Sequence, residues 1–486
     1  MKNHHLMLRM SAILLLVAAA AVSCGDADGV AVDTQSADTT AAAAESETEE
    51  LTGFGRLETV DYGGYEFRVL HENQDERQVD IMTVGAENGD AMNDIVYRRN
   101  TAVEDKYNIT ITAEQDSGEA VNVMIKKSVA AGVNDYDLYF NHCSIRSVAA
   151  DGYLYDLNEL PHVDLTQIWW DQASISGLSV GDRVFYATGD ISPMSLMTSS
   201  CLVFNKKLLA ANDIDYPYQA VYDGKWTLDR FIEITKGLSV DMNGNGKYDY
   251  GVDMFGYSSW SADSPFALFY GAGGMFSEKN AEGIPEIKYD VDRISSIMDK
   301  AYRLVVEQNA YLEKSEHERG YMGFANGYSY FNDATFQKIN TFLRDMEDDY
   351  GILPYPKYDE DQDAYYACVN GAGDFIGVPS NAEDPVRSGM IVEALASAAY
   401  DYITPSLYDV IVKGKNTRDE DSMHMVDLII RNRVFDPVYI HGFSLGMLPK
   451  RLLESGRNDV ASQLEKGRSA AEKSLAKEVE AYLSIE

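Results

Sequence analysis

The chain has 486 residues, with 41 Lys+Arg against 78 Asp+Glu and a formal net charge of −37. So large an acidic excess excludes a nucleic-acid partner, because affinity for a phosphate backbone rests on Lys and Arg displacing counterions. With 45 % hydrophobic and 24 % charged residues, the composition is near the globular average, which excludes collagen, coiled coil and wholesale disorder.

The chain opens on a short basic start (Lys2, Arg9) and an apolar run from Met10 to Val22. That run is too short for a membrane span and reads as the core of a signal peptide covering residues 1–23. The following Ala21-Val22-Ser23-Cys24 resembles the lipobox of bacterial lipoproteins. The resemblance implies that Cys24 becomes the lipidated first residue of the mature chain, which would hold it in the cell envelope at the outer face of the cytoplasmic membrane. Residues 24–56 are mostly Ala, Thr, Ser, Glu and Asp, the composition of a disordered acidic tether. The remaining cysteines, Cys143, Cys201 and Cys368, are odd in number and lack a CxxC pair, so they give neither a disulfide framework nor zinc spacing. They are expected to be small buried apolar residues.

The folded body begins near Leu57. Tyr65 to His71 predicts a strand, Asn93 to Tyr107 a helix, Ile109 to Glu114 a strand, Ala120 to Ala131 a helix and Tyr136 to Phe140 a buried strand. Such alternation implies an α/β fold with a parallel sheet. Parallel sheets bind ligands beyond the carboxyl ends of their strands, which points to His71, Glu72, Asn73, Asn141, His142 and Ser144. A second stretch of this type runs from about Leu202 to Tyr350, where Thr227 is a natural N-cap for a helix over Leu228 to Lys236. Near the end, Val460, Leu464, Ala471, Leu475, Val479 and Leu483 recur at helical spacing and predict an amphipathic helix packed on the core.

Several segments, in order, resemble the extracellular solute-binding proteins of bacterial ABC importers, family 1, the carbohydrate-type group to which maltose-binding protein belongs. They are YDLYFNH (Tyr136 to His142), GYLYDLNEL (Gly152 to Leu160), DRVFYATGDIS (Asp182 to Ser192), LVFNKKLL (Leu202 to Leu209) and GKWTLDRFIEIT (Gly224 to Thr235). SPFALFYGAGG (Ser264 to Gly274), FANGYSYF (Phe324 to Phe331), YGILPYPK (Tyr350 to Lys357) and GAGDFIGVPS (Gly371 to Ser380) complete the set. The resemblance implies a two-lobe periplasmic-binding-protein-like (type II) fold, each lobe a mostly parallel sheet flanked by helices, with ligand held in the cleft between them. Lobe 1 would be residues 57–188 plus 370–420 and lobe 2 residues 189–369 plus 421–486. The crossings would fall near Tyr186 to Ile191, near Tyr366 to Gly371 and around residue 420.

The sharpest local motif is Asp241-Met-Asn243-Gly-Asn245-Gly-Lys247-Tyr-Asp249. It begins like a calcium loop, with side-chain oxygens at positions 1, 3 and 5, a turn glycine at 6, a carbonyl at 7 and an acid at 9. Position 12 is Val252 rather than a bidentate Glu, and the next acid is Asp253, so the loop is no EF-hand. Similar loops in related solute-binding proteins look like structural calcium sites, so the expectation here is a structural Ca2+. The other reading is a metal-free Asx/Gly turn.

Gly442-Phe443-Ser444-Leu445-Gly446 fits GxSxG, after Val438 to His441 read as extended and before a helix near Pro449 to Leu453. A nucleophile elbow needs its acid and then its histidine later in the chain, and no His follows His441. These residues are therefore read as a turn that directs Phe443 to the cleft.

What remains is aromatic content, 32 Tyr, 17 Phe and 4 Trp, which combined with carboxylates and amides suits sugar recognition. Trp169, Trp170, Trp260, Asp263, Asn332, Asp333, Phe336 and Phe443 join the candidate ligand residues, whereas Trp226 is assigned to packing. The expectation is a monomeric, lipid-anchored, non-enzymatic protein that captures a carbohydrate, an oligosaccharide, and hands it to ABC permease subunits. The alternatives are a calcium-stabilised cell-surface hydrolase and a surface adhesin or scaffold lipoprotein.

Overall fold

The computed structural model describes residues 53–73, 82, 85–371, 373–412 and 420–485. The signal segment, Cys24 and nearly all of the tether lie outside the described residues. Among the described residues no helix is long and apolar enough to cross a membrane.

The first sheet is built as its hydrophobic pattern predicts. Tyr65–Glu72 lies between Ile109–Asp116 and Leu138–Asn141, parallel to both, and Phe375–Gly377 pairs antiparallel on the outer side of Leu138–Asn141. Leu138–Asn141 is buried along its whole length, as a strand covered on both faces must be. Ala91–Tyr107 and Gly118–Ala131 are the connecting helices, each starting slightly earlier than the apolar spacing indicates. Asp90 explains the first start, since its carboxylate accepts the N–H groups of Met92 and Asn93.

The second sheet runs Tyr350–Leu353, Ser200–Asn205, Ser329–Thr335, Phe255–Trp260, Tyr311–Glu313. It is mixed. Ser200–Asn205 is antiparallel to both neighbours, while Phe255–Trp260 is parallel to both of its own. Its core is aromatic: Trp226 is fully buried, stacks on Phe331 with centroids 6.5 Å apart, and donates its indole N–H to Pro354 O at 2.9 Å. Thr227 caps Leu228–Thr235 by accepting the Arg230 N–H at 3.2 Å.

The chain passes from the first sheet to the second between Asn141 and Ser200, and returns between Leu353 and Phe375. Bridges Ala187 to Ile376 and Ser199 to Val369 lay the outward and return segments side by side. Pro385–Val412 then packs on Ala91–Tyr107, and Glu420–Arg431 on Tyr350–Leu353. The final helix, Val460–Leu483, rests on the Ser277–Lys279/Pro285–Ile287 hairpin, on Val291–Tyr302 and on Arg146–Ala150. Its buried face differs at the end from the expected one: Glu478 and Tyr482 turn inward, Val479 is half-buried and Leu483 is exposed. Turned inward, Glu478 meets the buried His441 and the half-buried Arg146.

Two further expectations change. Val438 to His441 is not extended, since Pro437–Ile440 is a short helix capped by Asp436, so the GxSxG segment lacks the strand of a nucleophile elbow. Gly446 is required there by close approach, because a Cβ would meet Val438 O at 2.4 Å. Among the three later cysteines, Cys201 and Cys368 are buried and Cys143 is half-buried, all as free thiols.

Candidate functional site

At the carboxyl edge of the first sheet, Tyr65–Glu72 and Leu138–Asn141 end beside the start of Gly118–Ala131. Gly118 permits this approach: a Cβ there would lie 2.5 Å from His142 Cε1 and 3.0 Å from Asn141 Oδ1. Asn141 is fully buried, donates from Nδ2 to Gly118 O and Asn122 Oδ1, both at 2.9 Å, and accepts the His142 N–H at 2.8 Å. His142 Nδ1 lies 2.8 Å from Glu72 Oε2, and Asn122 Nδ2 donates to Ser144 Oγ at 2.9 Å. His71 is buried, with Nδ1 2.9 Å from Glu72 O. The expected group His71, Glu72, Asn141, His142 and Ser144 is thus one network. Its outer edge is Glu72 and His142, with side chains 13 % and 28 % exposed, and Asn73, which is exposed.

At the carboxyl edge of the second sheet, Asp333 Oδ1 accepts the Trp260 N–H at 2.8 Å and Asp263 precedes Ser264–Gly271. Trp260 is half-buried, but Asp263, Asn332 and Asp333 are enclosed. Asn332 donates to Asp333 O at 2.6 Å and accepts from Ser258 Oγ. Burial pushes the Asp263 carboxyl up to about 6, against the pull of Lys338 and Asn370. Burial and the charge of Asp263 also push Asp333 well above the usual carboxylate range.

The two edges are joined by the return segment. Asn370 Nδ2 donates to Asp263 Oδ1, and the neighbouring Gly371 would place a Cβ 4.0 Å from Cys143 Sγ, next to His142.

Other expected ligand residues are placed elsewhere. Trp169 and Trp170 are buried in the first-half core, and both indole N–H groups donate to Glu393 at 3.0 Å. Neither ring presents a free face, because each lies among core side chains with its polar edge already bonded. Phe336 is fully buried in a separate apolar cluster. Phe443 is buried between His441, with ring centroids 5.8 Å apart, and the Arg146 guanidinium, 5.7 Å from its centroid.

Sequence reasoning passed over Asn122, Asn370 and Tyr139, whose hydroxyl accepts from Asn141 Nδ2 at 2.7 Å. Asn122 carried a signal, being a polar residue beside Val121 on the otherwise apolar buried face that continues to Ile125. Asn370 carried none, since its role depends on a segment that returns from the other sheet.

The Asp241 loop is held by its own oxygens. Asp241 accepts N–H groups from Gly244 (2.7 Å), Asn245 (3.3 Å) and Gly246 (2.7 Å), which hold its carboxyl below the usual range. Asn243 Oδ1 accepts from Asn245 N at 3.0 Å, Asn245 Oδ1 from Lys247 N at 2.7 Å, and Asp249 Oδ2 from Asn245 Nδ2 at 2.7 Å. Gly244 and Gly246 have φ of 70° and 79°, a conformation that favours glycine. Asp253 is fully buried and spends both oxygens on the N–H groups of Met242 (2.8 Å) and Asp249 (2.6 Å). It therefore closes the loop rather than standing free as a ligand, and of the expected oxygens Asp241, Asn243, Asn245, Asp249 and the Lys247 carbonyl remain. Among the described residues no group of three or more His, Cys, Asp or Glu is arranged around a metal position.

No protein-family model matches the chain. No curated protein matches it either. Solved structures do. The cyclic α-maltosyl-1,6-maltose binding protein of Arthrobacter globiformis is similar over 85 % of this chain and 99 % of its own, with a TM-score of 0.58 at 14 % identity. UspC of M. tuberculosis is similar over 84 % of this chain and 100 % of its own, with a TM-score of 0.55 at 14 % identity. The maltose/maltodextrin-binding domain MalE of Bdellovibrio bacteriovorus, bound to maltotriose, is similar over 85 % and 100 %, with a TM-score of 0.53 at 14 % identity. The fold of this chain is that of the two-lobe, type II solute-binding proteins, and the Arthrobacter and Bdellovibrio neighbours are named as maltosyl-maltose and maltose/maltodextrin binders.

Proposed function

We propose that this protein captures a carbohydrate outside the cytoplasmic membrane and delivers it to an ABC permease, by binding rather than by chemistry. The observation that carries the reading is the return segment, where Asn370 bonds the Asp263 edge and Gly371 abuts Cys143 at the His142 edge. A ligand seated against both sheet edges would bias this segment, and so the open and closed arrangements, by its differential affinity for the two. Glu72, Asn73, His142 and Trp260 supply carboxylate, amide, imidazole and a flat apolar face, the groups that suit hydroxyl-rich ligands. An oligosaccharide ligand accords with the names of the structural neighbours.

Two accessory features belong to the proposal. Cys24 carries the lipid anchor, and the Asp241 loop holds a structural Ca2+. Thermal denaturation of the mature protein against a panel of neutral oligosaccharides tests the main reading, since a bound ligand raises apparent stability by RT ln(1 + [L]/Kd). A saturable rise with one sugar that is recovered intact supports capture; turnover of that sugar would overturn it. Fatty-acid labelling that survives Cys24→Ser would remove the anchor.

A further inference from the structure

The final helix leaves part of its apolar row uncovered. Leu475, Val479 and Leu483 recur every fourth residue on Val460–Leu483 and so share one face. Leu475 is buried, Val479 half-buried and Leu483 46 % exposed, because Glu478 and Tyr482 take the inward positions beside them. With Ile284 and Ile287 of the facing hairpin, these residues line a groove of about 740 Å³. Its ionisable lining residues are Glu286, Glu472 and Glu480, all exposed and all carboxylates, whereas Lys473 and Lys477 of the same helix lie outside it. Glu286 accepts from Asn280 Nδ2 at 2.9 Å and Glu472 pairs with Arg468 at 2.8 Å, contacts that hold the rim while leaving the Glu472 side chain 48 % exposed.

An open aliphatic floor inside a carboxylate rim sets the chemistry of what can cover it. A sugar gains little there, since the lining has no aromatic ring and no side-chain amide. A second copy is disfavoured, because a two-fold contact would set these carboxylates against their own counterparts. An anionic lipid surface is repelled by the same charges. A segment with an apolar stripe flanked by Lys or Arg satisfies floor and rim together. The helix face from Glu472 to Leu483 is about 16 Å long, which matches three turns of a helix laid along it. We propose that this groove docks a cationic amphipathic helix of a partner protein, with its apolar face on Leu475, Val479 and Leu483 and its Lys or Arg side chains against Glu286, Glu472 and Glu480.

The test is fluorescence anisotropy of labelled peptides of about 14 residues with the mature protein at physiological ionic strength. The probes are a Leu/Lys peptide with one apolar helical face, a scrambled peptide of the same composition, and a Leu/Glu peptide with the same apolar face. The Leu/Lys helix is expected to bind at least about 10-fold more tightly than either of the others. Leu483→Asp and Ala476→Glu should each lower its affinity about 10-fold, with the melting midpoint of the free protein little changed, because both side chains are exposed. Both substitutions add negative charge, so mere attraction of a cationic peptide to an acidic surface would grow rather than fall. Equal binding of the scrambled or the Leu/Glu peptide, or undiminished affinity in either variant, would overturn the proposal. So would a parent that sediments as a dimer and becomes monomeric in Leu483→Asp, since the face would then belong to a second copy. No sugar is present, so the outcome does not depend on the carbohydrate reading.

Discussion

Arg433 Nη2 lies 2.7 Å from Asp171 Oδ2, with both side chains almost wholly enclosed. Asp171 caps Gln172–Leu178 through the Ser174 N–H at 2.8 Å, and its own N–H donates to Thr188 O at 2.9 Å on the outward segment. Arg433 sits in the strand paired with Ala367–Cys368 on the return segment and reaches Ser195 O at 3.3 Å. One ion pair therefore ties the two passages between the sheets. Removing one member strands a buried charge, so Arg433→Ala should cost about 3–5 kcal/mol in urea unfolding. The double variant Arg433→Met/Asp171→Leu should recover much of that loss; a double variant as unstable as the single one would show that geometry, rather than charge, is what the pair supplies.

Glu393 receives both tryptophan indoles and the Asp164 N–H, yet burial outweighs these bonds and pushes its carboxyl up to about 7. A carboxyl raised on folding stabilises the protein when protonated. Its contribution is fully present below the unfolded value near 4.3 and is lost as pH rises through about 7. At about 1.4 kcal/mol per unit this amounts to an upper bound of roughly 4 kcal/mol. Glu393→Gln should therefore flatten the decline in unfolding free energy between those limits. An unchanged slope would mean that Asp190, also pushed up to about 7 by burial, dominates the dependence.

Much of the scaffold was legible because it is local. The strand of Tyr65–Glu72, the helix after Thr227 and the burial of Trp226 follow from apolar spacing and capping chemistry within a few residues. Trp169 and Trp170 were not legible in that way. Their environment is set by Glu393, more than two hundred positions away in sequence, and nothing near them marks the difference between a ring that stacks on a ligand and one held in a core. The same reason applies to Asp263 and Asp333, whose acidity suggests a ligand contact until their enclosure is seen.

The outer edge of the first network predicts where affinity resides. Glu72 is the carboxylate of that network, 13 % exposed and 2.8 Å from His142 Nδ1. Hydrogen bonds to a charged group contribute about 1.5–3 kcal/mol each. Glu72→Gln should thus weaken binding of the stabilising sugar about 10- to 100-fold by calorimetry, with the melting curve of the free protein little changed. Trp170→Phe should show the reverse pattern, with stability lowered by the lost indole bond and intrinsic affinity retained. Equal affinity in Glu72→Gln and the parent would move the site away from this edge.

For the Asp241 loop, a resident calcium predicts that EDTA lowers the melting midpoint and that added Ca2+ restores it. Asp241→Ala should abolish the response, since that carboxylate both orders three backbone N–H groups and supplies the first ligand. Asn245→Ala should weaken the response without abolishing it. A parent protein indifferent to EDTA would leave the loop as an Asx/Gly turn held by Asp253.

Glu478 makes the opposite pH argument to Glu393. It is buried, and burial pushes its carboxyl up, but His441 and Arg146 outweigh that and leave it below the usual range. Its Oε1 lies 2.5 Å from His441 Nδ1 and its Oε2 3.0 Å from Arg146 Nη1, while Tyr186 OH lies 2.7 Å from His441 Nε2. The final helix is thereby tied to the Arg146–Ala150 helix and to Tyr186 on the outward segment. A depressed carboxyl stabilises the fold above its unfolded value near 4.3, and that stability is lost as pH falls through the folded value. Glu478→Gln should cost about 2–3 kcal/mol near neutral pH and should lessen the fall in stability on the acid side. The parent should be most stable between the two limbs, with Glu393→Gln relieving the one that rises towards pH 7 and Glu478→Gln the one below the unfolded carboxyl value; urea midpoints measured across pH for the two variants would show whether the limbs separate in this way.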